Sequence, residues 1–498
     1  MAAGTSADVV IGLDIHPPAR LAVGKGNAFV IGGYCYHREQ PTRRLFVEVA
    51  SSREPVDRWG LPRQDAFERH RGGDDGDRHA FRSGFVAMAK VGPVDRTEDA
   101  DVSLVLELRD GAEVRVPVGR TALAPQPSPP DGGLAAEFPP LPEPRVAICM
   151  ATFDPPVELL RRQLESIREQ THRNWVCLIS DDHSRPELLE GLKREIEGDE
   201  RFVLVQCRGR LGHYGNFERA LSMAPTSAEF VALCDQDDRW QPQKLERLLE
   251  GIAGGAQLVY SDARVVDPGG TVIHPSYWTI RRNNHTNFAS LLLANSITGA
   301  ASLFRRELLD DVLPFPPRLA SPFHDHWLAV VALALGEVAY LNEPLYDYVQ
   351  HPGAVIGHST ANRPPRPIHR HLLERLRNPG PGSRRVYYYD WHQELLFAKV
   401  LRLRCWDRMA AAKRRTVRRL IGADRGIIGL SWLLGRRLRR LWGHDETLDR
   451  ELFYAHALLR RRAVSLWTLG RRRPGRILPR DASIPSPPAA GQDREGSA

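Results

Sequence analysis

Between residues 145 and 235 the chain alternates short apolar runs with stretches of helical spacing, and this alternation restricts the fold more than any other feature. Arg145-Val146-Ala147-Ile148-Cys149-Met150-Ala151-Thr152 reads as a buried strand closed by a small polar residue. Val157, Leu160, Leu164 and Ile167 then recur at roughly helical intervals within Pro155 to Gln170. Trp175 to Ile179 reads as a second strand, Leu188 to Ile196 as a helix and Phe202 to Val205 as a third strand, after which a Gly-rich loop leads into Gly215-Asn216-Phe217. Strands alternating with helices predict a parallel sheet with right-handed crossovers.

The next apolar run, Phe230-Val231-Ala232-Leu233, has the length of a buried strand and is followed by Cys234-Asp235-Gln236-Asp237-Asp238-Arg239-Trp240. Its three carboxylates should emerge at the C-terminal end of a strand, where open α/β sheets bind ligands. Carboxylates so crowded repel one another. A divalent cation relieves that repulsion, and Mg²⁺ or Mn²⁺ accepts carboxylate oxygens while leaving sites for phosphate oxygens. The plainer alternative is a solvated acidic turn capping a helix that starts near Pro242. Ser180-Asp181-Asp182 ends the second strand in the same way, so acids from at least two strands converge on one edge.

Several short motifs then fall in a familiar order: Ala151-Thr152-Phe153-Asp154-Pro155, Ser180-Asp181-Asp182-His183-Ser184, Gly215-Asn216-Phe217, Asp235-Gln236-Asp237-Asp238-Arg239-Trp240, Ser296-Ile297-Thr298-Gly299-Ala300, His324-Asp325-His326-Trp327 and Gln350-His351-Pro352-Gly353. By their order and spacing, residues from about 144 to 358 resemble a family 2 glycosyltransferase of the GT-A fold, in the manner of bacterial rhamnosyltransferase-like members. The resemblance implies a Rossmann-like α/β catalytic domain and an inverting transfer of a sugar, rhamnose being one option, from a nucleoside-diphosphate donor to a lipid-linked or polysaccharide acceptor. It implies that Thr152, Asp154, Asp182 and Asn216 lie at the donor, that Asp235 and Asp237 hold Mn²⁺ or Mg²⁺, and that Asp235 also reaches the ribose. Asp237 is the direct ligand in this reading, with Asp238 as the alternative. Some relatives place a histidine near His351 against the diphosphate or metal, whereas a lone histidine in a Pro/Gly turn is otherwise a surface or hydrogen-bonding residue.

Asp325 is expected to be the general base. It sits near the start of a helix running into Leu328 to Leu335, a position that favours an ionised carboxylate with a low pKa. Helix capping is its structural alternative. His326 stands where the family commonly has an aromatic residue, which puts the local polarity and acceptor choice in question.

The chain's 498 residues allow more than one domain. Residues 1–122 read as a β-rich, sandwich-like accessory domain of short strands and turns, with Asp110-Gly111 as a hairpin signal and Arg53 to Gly84 as a charged loop. Residues 123–144 form a Pro-rich linker, 145–360 the catalytic domain, 361–475 a basic helical region and 476–498 a disordered tail. The six cysteines are scattered without metal-ligand or disulfide spacing, which suits a reducing compartment. No leader pattern and no uncharged apolar run of about 18 residues is present, so a cytoplasmic protein, peripheral at the inner face of the cell membrane, is expected.

Residues 361–480 carry 30 Lys and Arg against 9 Asp and Glu, a net of +21, although the whole chain is only +8. Apolar residues recur at Leu395, Leu396, Val400, Leu401, Leu403 and Trp406 and again from Ile427 to Leu434, and Arg436 to Trp442 interleaves arginine with Leu and Trp. Amphipathic helices on an anionic bilayer are the expectation, with packing against the acidic catalytic part as the competitor. Nucleic-acid binding is disfavoured because no recognition motif accompanies the charge. An inactive scaffold is disfavoured because the acids and the base are all present.

Overall fold

The computed structural model describes residues 8–70, 79–126, 145–278, 282–351, 382–469 and 484–485. The Pro-rich segment from 127, the motif from Pro352 onward and most of the last 29 residues lie outside them.

Residues 145–349 build a mixed sheet whose order is Phe202–Gln206, Trp175–Asp181, Val146–Thr152, Phe230–Asp235, Ser302–Arg305, Leu258–Val266, Val338–Val349 and Arg239–Trp240. The first four strands are parallel, as their βα alternation requires. Every residue of Val146–Thr152 and Trp175–Asp181 is buried, because helices Val157–Arg168, Pro186–Ile196 and Gly212–Ser222 supply the flanking layers. Register fixes the site: Thr152 pairs with Asp181 and Ala151 with Asp235, so the carboxylates leave the sheet at one level. This is the expected α/β architecture. Gly215-Asn216-Phe217 differs in detail, lying inside a helix that begins at Gly212 rather than after a loop.

The N-terminal region is a β-sandwich. One sheet runs Val9–Ile15, Asn27–His37, Gly84–Val91, Arg58–Leu61, and the other Arg20–Ala22, Glu113–Ala124, Glu98–Leu108, Thr42–Val49, Ser52–Pro55. Leu21, Phe29, Ile31, Phe85, Val102, Leu104 and Leu106 fill the space between them. Asp110 and Gly111 do turn a hairpin, with Gly111 at φ +86°, a conformation that favours glycine. The charged stretch Arg53 to Gly84 is not a single loop. It contributes the strands Ser52–Pro55 and Arg58–Leu61 and the helix Gln64–Arg69, and its Arg63 is almost wholly buried, reaching Asp14 at 2.6 Å and Asp65 at 2.6 Å.

All eleven residues of Asn27–His37 are buried, so the alternation expected of a half-exposed strand is lost. Phe29 and Ile31 face the sandwich core, whereas Ala28 and Val30 belong to the same apolar cluster as the catalytic sheet. Helix His392–Cys405 covers that second face. Its Leu395, Leu396, Phe397, Ala398, Val400 and Leu401 are buried nearly all round, which corrects its reading as a surface amphipathic helix. Arg404 donates to the carbonyls of Gly26 at 2.6 Å, Asp311 at 3.1 Å and Val312 at 3.1 Å. Arg58 of the sandwich meets Asp424 at 2.5 Å, beside Arg461 at 3.0 Å.

The basic run is a second correction. Arg437 and Arg440 pair with Asp449 at 2.8 and 2.9 Å, Arg439 with Glu446 at 3.0 Å, and Arg436 lies 3.7 Å from Glu451. Arg436 and Arg439 also donate to Ser290 Oγ, at 2.5 and 3.0 Å. These arginines are turned inward, chiefly onto acids that follow them in the same tail. Among the described residues, no helix is long and apolar enough to cross a membrane.

Candidate active site

Asp235 ends its strand, and the chain turns through Gln236, Asp237 and Asp238 before pairing again at Arg239–Trp240. Gln236 is not a ligand in this arrangement. Its amide accepts from Phe153 N at 2.8 Å and donates to Phe153 O at 3.1 Å, so it pins the acidic turn to the end of the neighbouring strand. Asp238 is buried, accepts from Val349 N at 3.3 Å, and keeps Oδ2 enclosed without a partner. His351 Nε2 lies 2.7 Å from Asp237 Oδ2, and this contact raises the histidine pKa.

The electrostatics are those of an over-charged pocket. Burial first, then Asp237 and Asp325, raise the Asp235 pKa; burial, Asp237 and Asp235 raise that of Asp238 well above the usual carboxylate range. The nearest relief is Lys244, which is fully buried. Its ammonium donates to Ala300 O at 2.5 Å and sits 3.6 Å from the Trp240 ring centroid and 4.8 Å from that of Tyr346. Burial lowers its pKa, against the pull of Cys234, Asp238 and Asp235. Sequence reasoning missed Lys244. A lysine in the first turn of a helix is ordinarily solvated, and only the closure of the 299–301 turn over it makes it an internal counter-charge.

Asp325 is the second residue of helix His324–Leu335. Gly299 N donates to its Oδ2 at 3.2 Å, while Oδ1 is enclosed and unpartnered. Burial pushes its pKa up to about 7 although the backbone N–H groups of Gly299, His326 and Asp325 pull it down. The low pKa expected from the helix terminus is therefore corrected: desolvation of a carboxylate with one oxygen enclosed outweighs the dipole of one helix end. His326 points elsewhere, its Nε2 2.7 Å from Leu291 O and its ring against Phe397, so it adds no polarity at this face.

Thr152 ends its strand, Asp154 and Asp182 lie just past strand ends and Asn216 sits in helix Gly212–Ser222, all with their polar atoms engaged. Thr152 Oγ1 donates to Asp181 Oδ1 at 3.1 Å. Asn216 accepts from Ser180 Oγ at 2.6 Å and donates to Thr152 O at 3.1 Å. Asp182 takes the N–H groups of Leu211 and Gly212 at 2.7 and 2.8 Å, and Asp154 accepts from Arg185 N at 2.9 Å and Arg185 Nε at 3.1 Å. The structure thus gathers Asp235, Asp237, Asp238, Asp325 and His351 into one pocket, and sets Thr152, Asp154, Asp182 and Asn216 beside it as the supports of its loops.

A cation fits this donor set in part. Among the described residues, no three His, Cys, Asp or Glu side chains form a ready metal cage. The unpartnered Asp238 oxygen and the raised carboxylates are hard oxygen donors that need a cation or a proton, and the imidazole of His351, paired with Asp237, is a borderline nitrogen donor beside them. Two or three protein ligands completed by substrate phosphate oxygens is the usual way Mg²⁺ is held.

An open α/β sheet binds its ligands in the crevice beyond the carboxyl ends of its strands, which is where these acids converge. Residues 147–313 match glycosyl transferase family 2. The chain is similar to an uncharacterised glycosyltransferase of Methanocaldococcus jannaschii, at 25% identity over 134 residues, covering 26% of this chain and 46% of that protein. It is also similar to the GalNAc(5)-diNAcBac-PP-undecaprenol beta-1,3-glucosyltransferase of Campylobacter jejuni, at 23% identity over 169 residues, covering 34% of this chain and 54% of that one. The chain thus spans about half the length of these curated relatives. Among solved structures it is similar to S. aureus TarS 1-349 in complex with UDP-GlcNAc, at 16% identity and a TM-score of 0.36, covering 64% of this chain and 92% of that chain.

Proposed function

We propose that this protein is an inverting, metal-dependent glycosyltransferase that moves a sugar from a nucleoside-diphosphate donor to a lipid-linked or polysaccharide acceptor in cell-surface glycan synthesis. The observation that carries this reading is the half-buried Asp325 carboxyl, one oxygen of it enclosed, close enough to the strand-end acids to raise the Asp235 pKa. A base must take the acceptor hydroxyl proton on the side of the sugar away from the leaving diphosphate. Asp325, with an unpartnered Oδ1 and a pKa of about 7, is suited to accept it and to release it again near neutral pH.

Asp237, His351 and either Asp235 or Asp238 would hold Mn²⁺ or Mg²⁺. When bound, the cation would neutralise charge developing on the departing diphosphate. Lys244 keeps the acids from repelling one another apart and ties their turn to the 299–301 segment, from which Gly299 N positions Asp325. Thr152, Asp154, Asp182 and Asn216 shape the pocket for the nucleoside. The loop at Leu211 and Gly212, clamped by Asp182, is the part that would yield to the base.

A lipid-linked acceptor is favoured by the similarity to an enzyme whose own name includes undecaprenol. The protein would then work peripherally at the inner face of the cell membrane. Thermal-shift screening of UDP-, GDP- and dTDP-sugars, dTDP-rhamnose among them, with and without Mn²⁺ tests the donor. A ligand at about 100 times its Kd should add about 3 kcal/mol of stability. No shift with any nucleotide in the presence of metal would overturn the reading in favour of an inactive scaffold.

A further inference from the structure

Helix Ile427–Arg437 runs directly into the 3-10 stretch Leu438–Trp442, and the two sort their side chains in the reverse of a conventional basic surface. The arginines turn inward onto Glu446, Asp449 and Glu451. The solvent-facing side carries Ile427, Ile428, Leu434, Leu438, Leu441 and Trp442, the last two 77% and 69% exposed. Positions 427, 431, 434, 438 and 441 advance by steps of four and three, so these residues form one stripe with Ser431 among them. Scattered exposed apolar residues are ordinary on a protein surface; a contiguous stripe ending in tryptophan marks an interaction site.

The adjacent helix Ala411–Gly422 supplies the charge. Arg415, Arg418 and Arg419 are exposed and share one face by their spacing, and the helix contains no Asp or Glu. It is locked to the stripe-bearing helix at Gly429, where a Cβ would come within 2.3 Å of Ala423 Cα. The apolar stripe and the arginine cluster therefore belong to one rigid pair of helices.

We propose that this helix pair docks the protein on a phospholipid bilayer, with the 427–442 stripe inserted shallowly and Arg415, Arg418 and Arg419 meeting anionic headgroups. The charge pattern selects this occupant. An anionic, laterally fluid surface complements arginines that have no acids on their own helix, and Leu and Trp suit the headgroup boundary. A second copy packed through the same stripe would bring two arginine clusters together. This deepens the membrane proposal above by naming its surface. Its test reads lipid binding alone, so its failure leaves the sugar-transfer reading standing, and failure of that reading leaves this one standing.

The test is co-sedimentation of the full chain with vesicles of phosphatidylcholine, with and without phosphatidylglycerol. Sedimentation velocity without lipid accompanies it. The variant carrying Leu438→Ser, Leu441→Ser and Trp442→Ser should melt like the parent, since all three side chains are exposed, yet lose binding to both vesicle types by on the order of tenfold or more. The variant carrying Arg415→Gln, Arg418→Gln and Arg419→Gln should lose only the part of binding that depends on phosphatidylglycerol and is weakened by salt. Parent-like vesicle binding by the serine variant would overturn the proposal. So would a parent that ignores vesicles and sediments as a dimer that the serine substitutions dissociate.

Discussion

Replacing Asp325 with Asn tests the chemistry at its centre. Its pKa of about 7 lies about three units above the ordinary aspartate value, so the enclosure costs the ionised form about 4 kcal/mol. A base with that pKa is about one-tenth ionised at pH 6 and nine-tenths at pH 8, so kcat should climb roughly tenfold over that interval. The assay is initial-rate release of nucleoside diphosphate, with the donor found by thermal shift held saturating. Asp235 also has a raised pKa, and metal competes with its proton. Repeating the profile at several Mn²⁺ concentrations separates the two, because a limb due to Asp235 moves with metal and one due to Asp325 does not. Asp325→Asn should lower kcat by about 10²- to 10⁴-fold, erase the limb and leave donor Kd unchanged. An acid limb below pH 5, or an equal loss of donor affinity and rate, would refute the reasoning and make Asp325 a structural cap.

Asp237→Asn should abolish the Mn²⁺-dependent part of the thermal shift with nucleoside diphosphate while changing the ligand-free melting temperature little; an undiminished shift would remove Asp237 from the metal site. Lys244→Met leaves the Ala300 carbonyl and the acids without their ammonium, and should lower both melting temperature and kcat, the parent-like outcome showing that the buried lysine is dispensable. Glu218 is half-buried, accepts from Phe315 N at 2.6 Å and has a pKa raised to about 7 by desolvation. Because the folded state holds that proton more tightly than the unfolded chain, the group's contribution to stability falls as pH rises from about 4.5 to 7, by about 3 kcal/mol, and stays lost above. Glu218→Gln should therefore raise the melting temperature at pH 8 and not at pH 4, and a gain independent of pH would show that the carboxyl is ionised at no cost. Asp449→Asn, which removes the shared partner of Arg437 and Arg440, should destabilise the C-terminal helices in hydrogen exchange, whereas unchanged protection there would mean that those ion pairs carry no weight.

The sheet was legible because its information is local. Runs such as Val146 to Ala151 cannot be solvated, and the helical spacing between them leaves a parallel βα order as the consistent arrangement. The acids closing those strands were legible for the same reason: a strand's last residues point to the sheet edge whatever surrounds them. The stretch Arg53 to Gly84 hid its strands because charges such as Arg63 pair with residues far away in sequence, here Asp14, and pairing at a sequence distance leaves no periodic trace.

What the sequence alone determined about this protein is the α/β core, the hairpin at Gly111 and the cluster of carboxylates beyond the strand ends. Tertiary structure decided which charges are counter-ions and which remain exposed. Lys244 is an internal ammonium only because the 299–301 turn closes over it, and Asp325 has a pKa near 7 only because its pocket seals one oxygen from water. The run from Arg436 to Trp442 looks the same on paper whether its arginines face lipid or protein. Glu446, Asp449 and Glu451 decide the matter by folding back beneath it, which turns the arginines in and leaves Leu438, Leu441 and Trp442 facing out. Burial and long-range ion pairing depend on what the rest of the chain brings near a residue, and that is fixed only when the chain has folded.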